Sequence, residues 1–141
     1  MTATEVITSQ SNCSTSICNI SRRDWMWRGW QTRYAFLRPR IPQNHMQIIL
    51  LHGFGISGEH WRNNMPELSQ QHVVYALDLV GFGGSENPPA SYSINLWVEQ
   101  VFDFWSNFIK QPAVIVGNSV GSLVAVIAAH KHPEMAAGVV A

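Results

Sequence analysis

Three short stretches hold side chains with the means for chemistry. They are His52-Gly53-Phe54-Gly55, Asp78-Leu79-Val80-Gly81-Phe82-Gly83-Gly84-Ser85 and Gly117-Asn118-Ser119-Val120-Gly121. The last matches G-x-S-x-G. In that pattern a serine stands on a sharp strand-to-helix corner with its hydroxyl exposed, placed to act as a nucleophile. The corner needs backbone without a Cβ in the way, because the strand and the helix must approach closely. A chance match in a chain this long has odds of about 1 in 20. The pattern therefore gains weight only from its surroundings, an apolar run before it and an Ala/Val/Leu-rich run after it.

The elements that must position these residues follow from periodicity. Residues 113–116 are apolar throughout, as a strand covered on both faces requires. The next run, to His132 before Pro133, reads as a helix. Residues 113–129 carry no charge and are long enough to span a bilayer, but Gly117, Asn118, Ser119, Gly121 and Ser122 at their centre argue against a spanning helix. Residues 46–51 and 73–77 read as further strands, each leading into one of the other two stretches. Residues 57–69 have helical character, with Ser57 as N-cap, Trp61, Met65 and Leu68 on one face, and a break at Pro66. Residues 93–110 are the clearest helix: Ile94, Trp97, Val98, Val101, Trp105 and Phe108 recur at helical spacing, Ser93 caps the start and Pro112 follows the end. A new apolar strand begins at Gly138. Strands alternating with helices predict a mostly parallel α/β sheet with helices on both faces and right-handed crossovers. Ligands bind at the carboxyl ends of the strands in such a sheet, and His52, Asp78 and Ser119 all fall there.

Upstream, residues 24–37, DWMWRGWQTRYAFL, predict an edge hairpin, with 25–27 pairing 32–36 across a turn at Arg28-Gly29. Its clustered tryptophans fit a cover over the core edge better than a ligand site. Residues 38–45 read as a loop. Residues 1–23 read as a disordered leader rich in Ser, Thr and Asn. Cys13 and Cys18 lie in it and read as free thiols of a reducing compartment. No secretory h-region follows Met1. The 141 residues are 46% hydrophobic and 13% charged with a formal net charge of zero, which suits one globular domain over 24–141 and excludes a basic nucleic-acid surface. No metal site or cofactor is expected.

HGFG at 52–55, DLVGFGGS at 78–85 and GNSVGS at 117–122, in this order and spacing, resemble the α/β-hydrolase fold family. WMWRGWQTRY at 25–34, HWRNNMPEL at 60–68, VYALDLVGFGGS at 74–85 and PAVIVGNSVGS at 112–122 are similar to a cyanobacterial and plant branch with pheophytinase-like and chlorophyll-dephytylase-like esterases. The resemblance implies that Ser119 is the nucleophile and that the backbone N–H groups of Phe54 and Val120 form an oxyanion hole. It implies that His52, Gly53, Gly55, Asp78, Gly117 and Gly121 support those loops, His52 and Asp78 being structural and not triad members. One departure stands at Ser122, where much of the family has a second glycine; a serine there is expected to crowd the helix start slightly.

In this family the triad acid and base follow the serine. After Ser119 the chain offers only His130, His132 and Glu134, and His130 is roughly 16 Å along a helix from the corner. The chain thus reads as the N-terminal half of a hydrolase, truncated after the nucleophile-elbow helix and inactive alone. The function implied is ester hydrolysis through an acyl-enzyme, on a phytyl or other long-chain apolar ester. Dehalogenases and epoxide hydrolases carry Asp at the nucleophile position and are disfavoured by Ser119. C–C bond hydrolases, cofactor-free haloperoxidases and aminopeptidases share a serine and stay open. The alternative is a non-catalytic fragment or binding protein. The expected location is cytoplasmic, or plastid- and thylakoid-associated, with peripheral membrane contact but no membrane span.

Overall fold

The computed structural model describes residues 20–41 and 46–141. A hairpin leads the chain: β1 (Ser21–Trp27) pairs antiparallel with β2 (Trp30–Leu37). Arg28 and Gly29 both have positive φ, 55° and 83°, the two-residue turn whose twist matches that of flanking strands. Trp25 faces Thr32 as expected, and the pairing runs further than predicted, from Ser21↔Phe36 to Trp27↔Trp30. Ser21–Arg23 are therefore strand, not leader. Residues 1–19, with Cys13 and Cys18, lie outside the described residues, as do 42–45 of the loop.

The remaining strands are β3 (Gln47–Leu51), β4 (Val73–Leu77), β5 (Ala113–Gly117) and β6 (Ala136–Val140). They complete a six-stranded sheet of order β1-β2-β4-β3-β5-β6, in which β4, β3, β5 and β6 run parallel. β6 starts two residues before the Gly138 expected from sequence, because residue 136 pairs with Ala113 ahead of a bulge. Side-chain alternation sorts the strands onto two faces. Ile49, Leu51, Tyr75, Leu77, Ala113 and Ile115 join one core cluster, while Ile48, Leu50, Val74 and Ala76 join the other.

Two long helices cover the first face. α2 (Ile94–Phe104) contributes Trp97, Val98, Val101 and Phe104, and α3 (Val120–Lys131) contributes Val124, Ala125 and Ala128. The second face has a thinner cover, from a 3-10 turn (Gly58–Trp61) and the single-turn helix α1 (Met65–Leu68). The long helix expected over 57–69 is thus two short pieces. Pro66 stands in the first turn of α1, where it needs no N–H partner, so it starts a helix and does not kink one. Ser57 caps as predicted, its hydroxyl accepting from the Glu59 N–H, and Trp61, Met65 and Leu68 all meet the second core. On that face Val114 and Val116 of β5 are only half-buried, so the expectation of cover on both sides of β5 holds for one side alone.

α2 begins as predicted, with the Ser93 hydroxyl accepting from the Leu96 N–H at 3.1 Å. Its last turn widens to a π-helix (Trp105–Ile109), which the Lys110 N–H closes onto the Trp105 carbonyl. The extra residue rotates the stripe, so Ile109 is buried and Phe108 is 40% exposed, where the helical spacing had put Phe108 inside.

Candidate active site

β3 and β5 are neighbours, yet the chain leaves them in opposite directions. After β3 it crosses the second face toward β4, and after β5 it crosses the first face toward β6. Diverging loops open a crevice at the carboxyl ends of two adjacent parallel strands, the place where such sheets take ligands. The loops that meet there are 52–55 and 117–121.

Ser119 lies between β5 and α3, exposed, with φ 58° and ψ −120°. The serine itself therefore carries the positive φ, at a cost of about 1–3 kcal/mol. Hydrogen bonds over-determine the turn: Gly121 N–H to Asn118 C=O at 2.9 Å, Ser122 N–H to Ser119 C=O at 2.9 Å, and Asn118 N–H to Leu51 C=O at 3.1 Å. The two glycines serve close approach. A Cβ on Gly117 would lie 2.2 Å from the Gly121 carbonyl oxygen, and one on Gly121 would lie 2.4 Å from the Leu51 oxygen and 2.6 Å from the His52 oxygen. Ser122 does not crowd the helix start: its hydroxyl donates to the Gly117 carbonyl at 2.8 Å and ties the turn to its own helix.

The loop after β3 meets the serine directly. Space beside the Gly53 Cα is closed by the Ser119 Cβ, 3.1 Å from where a Gly53 Cβ would stand. Gly55 turns the loop outward with φ 75°. The N–H groups of Phe54 and Val120 donate to no acceptor among the described residues. Val120 opens α3, where first-turn N–H groups point out of the helix and carry its partial positive charge.

His52 is fully buried. The Leu79 N–H donates to its Nε2 at 3.0 Å, so the ring proton sits on Nδ1, 2.7 Å from the Gly53 carbonyl oxygen. Burial lowers its pKa below the usual 6.5. Asp78 accepts the Gly58 N–H on Oδ1 at 2.7 Å and the Gly84 N–H on Oδ2 at 2.8 Å, joining the loops that follow β3 and β4. Ser119, Gly53, Phe54, Val120, Gly117 and Gly121 thus converge, whereas the His52 ring and the Asp78 carboxylate are spent on loop contacts. His130 is at the far end of α3, and His132 stacks on Phe102 with ring centres 3.7 Å apart. Neither is brought to the serine.

Sequence reasoning missed three groups. Gln100 and Trp97 of α2 and Ser85 all bind the loop after β4: the Gln100 amide takes the Val80 N–H at 2.9 Å and reaches the Asp78 carbonyl at 3.2 Å, Trp97 Nε1–H donates to the Val80 carbonyl at 3.0 Å, and Ser85 donates to the Asp78 carbonyl at 2.6 Å. The available signal was a polar Gln100 set in the apolar stripe of Trp97, Val101 and Phe104. Among the described residues no group of three or more His, Cys, Asp or Glu side chains is arranged to hold a metal ion, and no helix is long and apolar enough to cross a membrane.

Comparison with known proteins agrees with this geometry. The chain is 36% identical over 91 residues to 2-hydroxymuconate semialdehyde hydrolase of Pseudomonas sp. strain CF600, covering 62% of this chain and 32% of that protein. It is 35% identical over 95 residues to pimeloyl-[acyl-carrier protein] methyl ester esterase of Edwardsiella ictaluri, covering 66% and 34%. It is 28% identical over 123 residues to chloroplastic pheophytinase of Arabidopsis thaliana, covering 65% and 25%. The crystal structure of a membrane phospholipase A, a bacterial virulence factor, superposes with a TM-score of 0.81 at 26% identity, over 96% of this chain and 43% of that one. The chain spans between a quarter and about a third of the length of these curated relatives. Residues 47–141 match the family described as alpha/beta hydrolase fold, and with the serine elbow and the switch-point crevice in place, the chain belongs to that family.

Proposed function

We propose that this chain carries the nucleophile half of a serine hydrolase acting on carboxylic esters. One observation supports this above the others: an exposed serine held at φ 58° between β5 and α3, beside two backbone N–H groups that no acceptor among the described residues takes. In the proposed reaction a general base removes the Ser119 hydroxyl proton as Oγ attacks the ester carbonyl carbon. The carbonyl π electrons move to oxygen, and the resulting oxyanion accepts the Phe54 and Val120 N–H groups. Collapse expels the alcohol, which takes up the proton and leaves an acyl-serine. Water then repeats the sequence and releases the acid.

The base and its orienting acid are proposed to lie downstream of Ala141, since His130 and His132 sit away from Ser119 and His52 is closed off. His52, Gly53, Gly55, Asp78, Gly117 and Gly121 are proposed as the supports of the elbow and the oxyanion loop. The substrate class is proposed as an ester with a long apolar arm, such as a phytyl ester. Phe54 favours this: its side chain is 72% exposed beside the elbow and meets the edge of Phe82 at 5.4 Å, an apolar rim over the crevice. An ester of that kind suits a protein of the cytoplasm, or of a plastid with access to the thylakoid surface. Fractionation of the source cells tests the location.

The test is a fluorophosphonate probe on the full-length protein, with mass spectrometry of the labelled peptide. The expected product is a single adduct on Ser119, absent in Ser119→Ala, with turnover of long-chain p-nitrophenyl esters falling by about 10⁶-fold in that variant. An unlabelled Ser119 in folded full-length protein would leave the non-catalytic reading. Labelling without ester turnover, but with hydrolysis of 2-hydroxymuconate semialdehyde, would move the protein toward the activity that the semialdehyde hydrolase relative is named for.

A further inference from the structure

Gln100 is fully buried on the face of α2 that it shares with Trp97, Val101 and Phe104. An amide in that setting costs about 1–3 kcal/mol unless its hydrogen bonds are made. None of its bonds serves α2. Oε1 takes the Val80 N–H and Nε2 reaches the Asp78 carbonyl, so both ends of the side chain clasp the three residues that follow β4. Between those two contacts the Leu79 N–H points the other way, into His52 Nε2. His52 then donates its Nδ1–H to the Gly53 carbonyl. That carbonyl belongs to the same planar peptide as the Phe54 N–H, and the two point in opposite directions. Whatever fixes one fixes the other.

We infer that Gln100 is a positioning residue for the oxyanion hole, acting through loop 78–80 and His52 on the orientation of the Phe54 N–H. The inference rests on the reading of that N–H as an oxyanion donor. The relay has four links and each is short: 2.9 and 3.2 Å from Gln100 to the loop, 3.0 Å from the loop to the ring, and 2.7 Å from the ring to the peptide. The chemistry of each link selects its residue type. Val80 offers a donor and Asp78 an acceptor, and the Gln100 amide answers both at once, Oε1 accepting and Nε2 donating. A leucine would fill the same volume and leave the Val80 N–H unpaired. The imidazole must accept on one nitrogen and donate on the other, which its neutral form alone can do. Burial of His52 keeps it in that form.

The experiment is carried out on the full-length protein with Gln100→Leu, His52→Ala and the double variant. Gln100→Leu is expected to lower kcat by about 10- to 100-fold with KM nearly unchanged, because the donor acts on the oxyanion and not on the bound ester. The rate of fluorophosphonate labelling should fall in parallel. The double variant should be no slower than His52→Ala alone, since both act on one peptide. ¹⁵N-resolved NMR gives a readout that does not need turnover: the His52 Nδ1 proton should exchange slowly in the wild type and quickly in Gln100→Leu, and the Phe54 amide should shift. Gln100→Met, unbranched and of similar length, removes both hydrogen bonds and serves if Gln100→Leu does not fold; it is expected to show the same changes. A lower melting temperature with kcat, the ring proton and the Phe54 amide all unchanged would make Gln100 a core residue only and overturn the inference. If the wild type does not label at Ser119, the hydrolase reading falls, and the NMR readout alone then decides whether Gln100 orients this peptide.

Discussion

His52 shows how little a residue type says without its contacts. A histidine at a strand end beside a candidate nucleophile has the chemistry of a general base, yet both ring nitrogens are committed and no surface is accessible. Its lowered pKa has a consequence for stability. The unfolded chain takes up a proton near pH 6.5 while the folded chain resists it, so stability is complete above that value and falls as pH drops below it. The slope is up to about 1.4 kcal/mol per pH unit for one such group. Urea midpoints measured from pH 7.5 to 5 should show this fall, and His52→Asn should flatten it. Asp78 offers a second measurement at the same scale. Removing its carboxylate in Asp78→Ala leaves the Gly58 and Gly84 N–H groups without their acceptor, for a loss of about 3 kcal/mol in chemical denaturation.

At the scale of elements, the elbow depends on α3 lying closer to β3 and β5 than a methyl group allows. Gly121→Ala would drive its Cβ against the Leu51 and His52 carbonyls, which are backbone and cannot swing aside. The expected result is a destabilisation of about 3 kcal/mol or failure to fold, read by thermal melting and by yield of soluble protein. α2 holds the first core through Phe104, which meets Trp25, Tyr34 and Tyr75 edge-on at 5.8, 5.0 and 5.4 Å. Phe104→Ala should cost about 3–5 kcal/mol, whereas Phe108→Ala, on the side that the π turn lifts toward solvent, should cost much less.

At the scale of the molecule, apolar surface is uneven. Leu123 and Val126 of α3 are each 49% exposed, and Val139 and Val140 of β6 add to the apolar surface. β6 is one of the two outer strands of the sheet, with one neighbour among the described residues. An edge strand and a helix face of this kind associate with whatever can cover them. The 141-residue chain on its own is therefore expected to self-associate in size-exclusion chromatography and to bind an apolar dye. Leu123→Glu with Val126→Lys should raise its solubility without changing its circular dichroism. A monodisperse, dye-silent 141-residue chain would contradict this.

What the sequence determined by itself was everything that local pattern encodes. Unbroken apolar runs named the parallel strands, helical spacing named α2, Arg28-Gly29 named the hairpin turn, and G-x-S-x-G with HGFG named the strand-to-helix corner and its neighbouring loop. What only the tertiary structure decided was where local signals compete with packing. Pro66 fits the first turn of α1 because no N–H partner is needed there, and Phe108 is displaced by Ile109 because a π turn, which leaves no mark in hydropathy, shifts the register. The support of loop 52–55 was hidden for the same reason. Gln100 and the loop after β4 are far along the chain from His52 and the Gly53–Phe54 peptide, and hydrogen bonds between distant residues exist only once the sheet has set β3 beside β4 and laid α2 across them.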